Sequence, residues 1–163
     1  MALRKILTQG DPTLNKKSRP VERFDERLHI LLDDMKETLA AANGAGLAAP
    51  QVGILRRVVV VVDADDHMVE LVNPELVYTE GEQTGLEGCL SVPGKYGLVT
   101  RPYKARIRAQ DRNGQSFELD GEEIVARCFC HELEHLDGHL LIEKAYRFLT
   151  QEEIDAMNGE EDA

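Results

Sequence analysis

Five residues near the C-terminal end, His131-Glu132-Leu133-Glu134-His135, constrain this chain more than any other segment. An H-E-x-x-H string has chemical meaning on a helix. There residues i and i+4 share one face, about 6 Å apart at Cβ, so both imidazoles can grip one cation. Glu132, one step round from His131, can then reach a water on that cation. Two ligands and a carboxylate base are the kit for metal-assisted hydrolysis. The fold must therefore carry this string on a helix and bring a third ligand to it.

The bulk properties suit such an enzyme. The 163 residues, with 42% hydrophobic and 30% charged, predict a single globular domain with a core that needs no disulfides. We set that domain at 1–149, followed by an acidic, flexible tail over 150–163. A net charge of −11 argues against DNA or anionic lipid as a partner of the whole surface. Behind Arg4 and Lys5 there is no long apolar run, and no stretch approaches 18 apolar residues. The reading is therefore no secretory signal and no membrane span. An odd cysteine count, Cys89, Cys128 and Cys130, fits a reducing cytosol.

The pattern predicts an irregular arm over 1–23 and a helix over 25–42. Asp25 is its cap, Leu28, Leu31, Leu32, Met35, Leu39 and Ala42 its apolar stripe, and Gly44 its stop. Gly44 to Gln51 is too rich in small residues for a regular element. Arg57 to Val62 is a buried strand, and weaker strands fall at 68–72, 76–78 and 98–100. The segments 104–110 and 116–119, joined by Asp111-Arg112-Asn113-Gly114, form a hairpin. A second helix opens with Gly121-Glu122-Glu123 and runs to about Leu136, where Gly138 ends it. A short apolar piece, Leu140-Leu141-Ile142, follows. Helix, antiparallel strands, helix is an α+β order.

Two candidates compete to be the third ligand. Glu152 or Glu153 from the tail would complete a two-His-one-Glu site, as in zinc endopeptidases. Cys89, framed by Gly88 and Pro93, would complete a Cys-His-His site. Taken alone Cys89 is a small buried hydrophobe, but a His-pair helix in the same chain favours it as a ligand. Cys128 and Cys130 read as buried packing residues, with Cys128 three before His131 and so on the pocket wall. Gly44 and Gly46 permit close backbone approach. Gln51 carries an amide donor, although a loop glutamine is ordinarily solvated.

Three strings in one order resemble peptide deformylases. Gly44-Ala45-Gly46-Leu47-Ala48-Ala49-Pro50-Gln51 resembles the family's G-x-G-x-A-A-P-Q, Glu87-Gly88-Cys89-Leu90-Ser91 its E-G-C-x-S, and His131 to His135 its H-E-x-D-H. The resemblance covers roughly residues 3–147. It implies antiparallel sheets packed around a central helix that carries the histidines. It implies removal of the N-formyl group from the initiator methionine of new polypeptides. A bacterial cytoplasm is the natural setting, although a mature organellar protein without its transit peptide would look similar. The implied metal ligands are Cys89, His131 and His135, and the implied catalytic carboxylate is Glu132. Gln51 and the Leu90 backbone N–H are implied stabilisers of the oxyanion. Fe²⁺ is the implied native metal, with Zn²⁺, Ni²⁺ or Co²⁺ as substitutes.

Helical counting back from His131 puts Cys128, Arg127 and Ile124 on or beside the metal-facing surface, as a partly apolar pocket for a methionine side chain. Gly44, Ala45, Gly46 and Gly88 can offer backbone groups to an extended peptide. Three residues depart from the family pattern. Glu134 replaces an Asp, Ala45 a bulkier residue, and Arg127 an apolar one; Arg127 is expected to snorkel at the pocket rim. Some relatives in that family dock on the ribosome through a basic C-terminal helix, which the acidic tail here does not match.

Overall fold

The computed structural model describes residues 2–140, 147–150 and 152–156. The helix over Glu26–Ala42 (α1) starts where Asp25 caps it, the carboxylate accepting from the Leu28 N–H. It ends at Ala42, as expected, but the cap is Asn43 rather than Gly44. Asn43, at φ 55, takes the left-handed position, which asparagine tolerates better than most residues.

Among the described residues, two antiparallel sheets follow. One has the order β1-β2-β3-β6-β7, from Gly46–Ala48 (β1), Val58–Val62 (β2), Met68–Glu80 (β3), Lys104–Gln110 (β6) and Ser116–Glu122 (β7). The other has the order β4-β5-β8, from Gln83–Cys89 (β4), Val92–Arg101 (β5) and Arg147–Thr150 (β8). The second helix spans Ile124–Leu136 (α2) and carries the whole H-E-x-x-H string. The architecture is α+β, as the element order implied.

The all-valine strand β2 shows why the large sheet sits at the centre. Val58 and Val60 pack with Leu28, Leu32, Met35 and Leu39 of α1, while Val59 and Val61 pack with Ala126, Phe129 and Leu136 of α2. A strand covered on both faces reads as a continuous apolar run rather than an alternating one. The other side of α2 faces the small sheet, and this is where the site forms.

Several expectations need correction. The small-residue segment 44–51 is regular. Gly46, Leu47 and Ala48 pair with Val61, Val60 and Val59, and Ala49–Val52 forms a 3-10 turn. Pairing with a buried neighbour overrides weak local propensity. The strands expected at 68–72 and 76–78 are one strand, bent at an irregularity between Val72 and Glu75. There Asn73 sits at φ 51 and binds Val21 with both ends of its amide. Strand β4 was not anticipated, because Gly85 and Gly88 dilute its pattern. The second helix begins at Ile124, since Gly121 and Glu122 still pair with Ala105 and Lys104 of β6. A Cβ at Gly121 would lie 2.6 Å from Val125 Cγ1, so only glycine fits where the chain turns into α2. Thr150 belongs to β8 and 152–156 are helical, so the boundary drawn at 149/150 falls inside a strand. Leu140 is buried; Leu141, Ile142 and 157–163 lie outside the described residues. Among the described residues no helix is long and apolar enough to cross a membrane.

One ion cluster ties α1 to the large sheet. Arg112, in the β6–β7 turn, donates to Glu70 Oε1 at 2.9 Å and Asp33 Oδ1 at 2.8 Å, and Lys36 Nζ reaches Glu70 Oε2 at 3.0 Å. Burial alone would raise the Glu70 pKa. The Arg112 and Lys36 hydrogen bonds outweigh it and hold the carboxyl below its ordinary 4.5. A carboxyl depressed on folding stabilises above its unfolded pKa, and that contribution fades as pH falls through the folded value. Glu70→Gln is expected to lower unfolding free energy by about 2 kcal/mol at pH 7. In urea titrations the gap from the parent should narrow below about pH 4. A gap that is the same at pH 3 and pH 7 would refute this account.

Candidate active site

The site forms where α2 crosses the end of β4. Cys89 closes that strand, and its Sγ lies 3.3 Å from His135 Nε2. His135 Nε2 is in turn 3.2 Å from His131 Nε2. The three donor atoms all lie within 4.8 Å of one another. Both imidazoles, one helical turn apart, present Nε2 to the thiol. Such a convergent, mostly buried sulfur–nitrogen–nitrogen set has the chemistry of a transition-metal ligand set and fits one divalent cation.

Glu132 sits beside this cluster with 3% of its surface exposed, and among the described residues its Oε2 has no hydrogen-bond partner. Oε1 is 3.8 Å from His131 Nε2. Burial pushes its carboxyl up to about 7; His131 and Arg101 oppose that push and Glu87 adds to it. Gly46 packs directly against this side chain. A Cβ there would come within 2.7 Å of Cys128 Sγ and 3.0 Å of Glu132 Cγ.

Gln51 is not a solvated loop residue. It is 1% exposed, and the Ala48 N–H donates to its Oε1 at 2.9 Å. Its Nε2 donates to Ser91 Oγ at 3.0 Å and lies 3.7 Å from Cys89 Sγ. The amide is therefore turned with its N–H groups towards the cluster. Leu90 follows Cys89, and its side chain packs over Gly44, where a Cβ would lie 3.0 Å from Leu90 Cδ1.

A cleft of about 510 Å³ opens onto the cluster, lined by Gly44, Ala45, Gly46, Gly88, Cys128 and Glu132 among others. Ile124 stands at its mouth and is 69% exposed. The Ala45 carbonyl already accepts from the Val62 N–H at 2.9 Å and the Cys128 thiol at 3.4 Å. It is thus not the open backbone group that we expected. The Tyr96 ring lies against Gly88, whose Cβ would be 2.9 Å from Tyr96 Cε1.

Two expectations fail here. Arg127 does not snorkel at the rim. Its guanidinium turns inward, and Nη1 donates to Glu87 Oε2 at 2.7 Å. Glu152 and Glu153 are exposed and stand outside the donor cluster, so the two-His-one-Glu alternative has no geometric support. Cys128 and Cys130 are buried, as a packing role requires, and burial raises the pKa of both thiols.

Sequence reasoning gave no role to Glu87, Arg101 or Ser91. Glu87 Oε1 lies 3.0 Å from His131 Nδ1 and also accepts from Arg101 Nη2 at 3.0 Å. Hydrogen bonds from His131 and Arg101 overcome burial and hold its carboxyl down at about 2. Arg101 also pairs with Glu134. The signal was alternation: Glu87 and Cys89, two apart on one strand, share a face. It was hidden because β4 itself was missed.

A buried donor triad, an adjacent carboxylate and an open cleft together define a hydrolytic enzyme. The family model described as polypeptide deformylase matches residues 3–151. A peptide deformylase of Caldicellulosiruptor bescii is 55% identical over 155 residues, covering 95% of this chain and 93% of the relative. A crystal structure of a peptide deformylase from Legionella pneumophila superposes with TM-score 0.84 at 39% identity, covering 98% of each chain. The Thermotoga maritima peptide deformylase structure gives TM-score 0.85 at 36% identity, over 89% of this chain and 99% of that one. The chain belongs to the polypeptide deformylase family.

Proposed function

We propose that Glu132, Gln51 and the backbone at Leu90 carry out in this chain the reaction that defines its family. The N-formyl group is hydrolysed from the terminal formyl-methionine of a new polypeptide, leaving formate and a free amine. The reading rests chiefly on one observation: Cys89 Sγ and the His131 and His135 Nε2 atoms converge beside a buried carboxylate whose Oε2 has no hydrogen-bond partner among the described residues.

Cys89, His131 and His135 would hold one divalent cation, which when bound supplies Lewis acidity and an acidified water. One thiolate and two imidazoles suit a borderline-soft ion. Fe²⁺ is the native metal in this reading, with Zn²⁺, Ni²⁺ or Co²⁺ as working substitutes. Glu132 takes the proton from the attacking water and later delivers it to the departing amine. A carboxyl held near 7 by burial serves both steps at neutral pH. The Gln51 amide, locked by Ala48 and Ser91, donates to the formyl oxygen as negative charge builds there. The Leu90 N–H is the second donor; one such donor is commonly worth about 3 kcal/mol of barrier.

The methionine side chain enters the cleft past Ile124 towards Cys128. The rest of the peptide extends along Gly44–Gly46 and the Leu86–Gly88 edge of β4. We place the protein in a bacterial cytoplasm, meeting its substrates as they leave the ribosome's exit tunnel. Support comes from the nature of those substrates and from the bacterial sources of its relatives.

Formate release and amine formation from a formyl-methionyl tripeptide test this. Equal yields of both, with the internal peptide bonds intact, are expected from metal-loaded protein. Cleavage of internal bonds without formate would instead mark an endopeptidase. Gly46→Ala offers a finer check. Its Cβ would push on Glu132 and Cys128, so kcat/KM should fall about 100-fold, as for a catalytic group misplaced by an ångström. Parent-like turnover would show that Glu132 does not need the position it occupies.

A further inference from the structure

Arg127 is placed for a different task from the one its position on the helix suggested. It stands one turn before His131 on α2 yet is only 8% exposed. Its Nη1 donates to Glu87 Oε2 at 2.7 Å, the Val99 carbonyl at 3.1 Å and the Gly85 carbonyl at 3.3 Å. Gly85 and Val99 are register partners across β4 and β5. One nitrogen thus fastens α2 to both strands at the level of the site. Gly85 makes room for this: a Cβ there would be 3.2 Å from Arg127 Nη2.

The charges form a closed set. Glu87 receives Arg127, both Nε and Nη2 of Arg101, and His131 Nδ1; Arg101 also holds Glu134. Two carboxylates meet two guanidiniums, so His131 can stay neutral with its Nδ1–H on Glu87. A neutral imidazole so held presents Nε2 as the ligand, and outer partners of this kind fix ring orientation. Without Arg127 the buried set carries one uncompensated negative charge close to the Cys89 sulfur. Buried carboxylates left with too few partners move or draw in water.

We propose that Arg127 is a positioning residue for the metal centre, acting through Glu87 to lock His131 and to hold β4, and so Cys89, in register with α2. This rests on the ligand set assigned under the proposed function. Arg127 is a wall of the cleft only incidentally; its donors are spent inward.

The test is Co²⁺ titration of metal-free parent, Arg127→Met and Arg127→Lys, read by the sulfur-to-cobalt absorption band. The His131 Nδ1–H proton resonance of the Zn²⁺-loaded proteins gives a second readout. Arg127→Met should bind Co²⁺ about 10–100-fold more weakly, with a changed band and a shifted or broadened Nδ1–H resonance. Arg127→Lys, which restores the charge on Glu87, should recover most of the affinity. A folded Arg127→Met with the parent's affinity, band and resonance overturns the proposal, however far its melting temperature falls. If Arg127→Met does not fold, Arg127→Gln is read by the same criteria. A parent with no sulfur-to-cobalt band would overturn the ligand set as well; a parent that has it confines any failure to Arg127.

Discussion

Glu132→Gln is expected to cut formate release by about 10³-fold while the protein keeps its metal and its fold. The substitution preserves shape in a pocket that leaves only 3% of the residue exposed. It exchanges an acceptor for an amide that cannot take a proton. Among the described residues no hydrogen bond holds Glu132 Oε2, so the substitution breaks none at that atom. The loss should appear in kcat, with KM for the formyl peptide nearly unchanged, because the group acts on the proton and not on the methionine side chain. Metal content and melting temperature, measured on the same preparation, separate this from a collapse of the site. Turnover within tenfold of the parent would assign the base to another residue.

Cys89→Ala attacks the site at its other component and should abolish activity by loss of the cation. In the proposed site a thiolate and two imidazoles share the binding, and removing one of three should weaken it by about 3 kcal/mol, roughly 100-fold or more. The fold should survive. Cys89 is half-buried at a strand end, and the β4–β5 pairing from Gln83 to Gly88 does not use its side chain. The expected result is a folded protein that retains little metal after dialysis and releases formate at background rate. Full activity in Cys89→Ala would refute the Cys-His-His assignment.

The features that sequence exposed best are those governed by local chemistry. The i, i+4 histidines fix a helix face, Asp25 caps α1, and the alternation from Lys104 to Gln110 marks β6 to the residue. What escaped depends on contacts distant in sequence. Strand β1 exists because Gly46–Ala48 lies beside β2, not because such small residues favour strands. Strand β4 carries the third metal candidate among two glycines, and its outward alternation is too diluted to see. Arg127 illustrates the same limit at a single residue. Its place on α2 was countable from His131, but its partners sit 40 and 28 residues away on strands whose pairing sequence did not reveal. Read as a rim residue it was a substrate contact; seen against Glu87 it belongs to the support of His131.

The central claim is that one sulfur and two imidazole nitrogens share a single cation. X-ray absorption at the metal edge, on anaerobically purified protein, tests it most directly. The account predicts one sulfur and two imidazole scatterers, with the remainder of the shell from light atoms, in protein that carries about one metal per chain. A first shell with no sulfur, in protein that still releases formate, would contradict it.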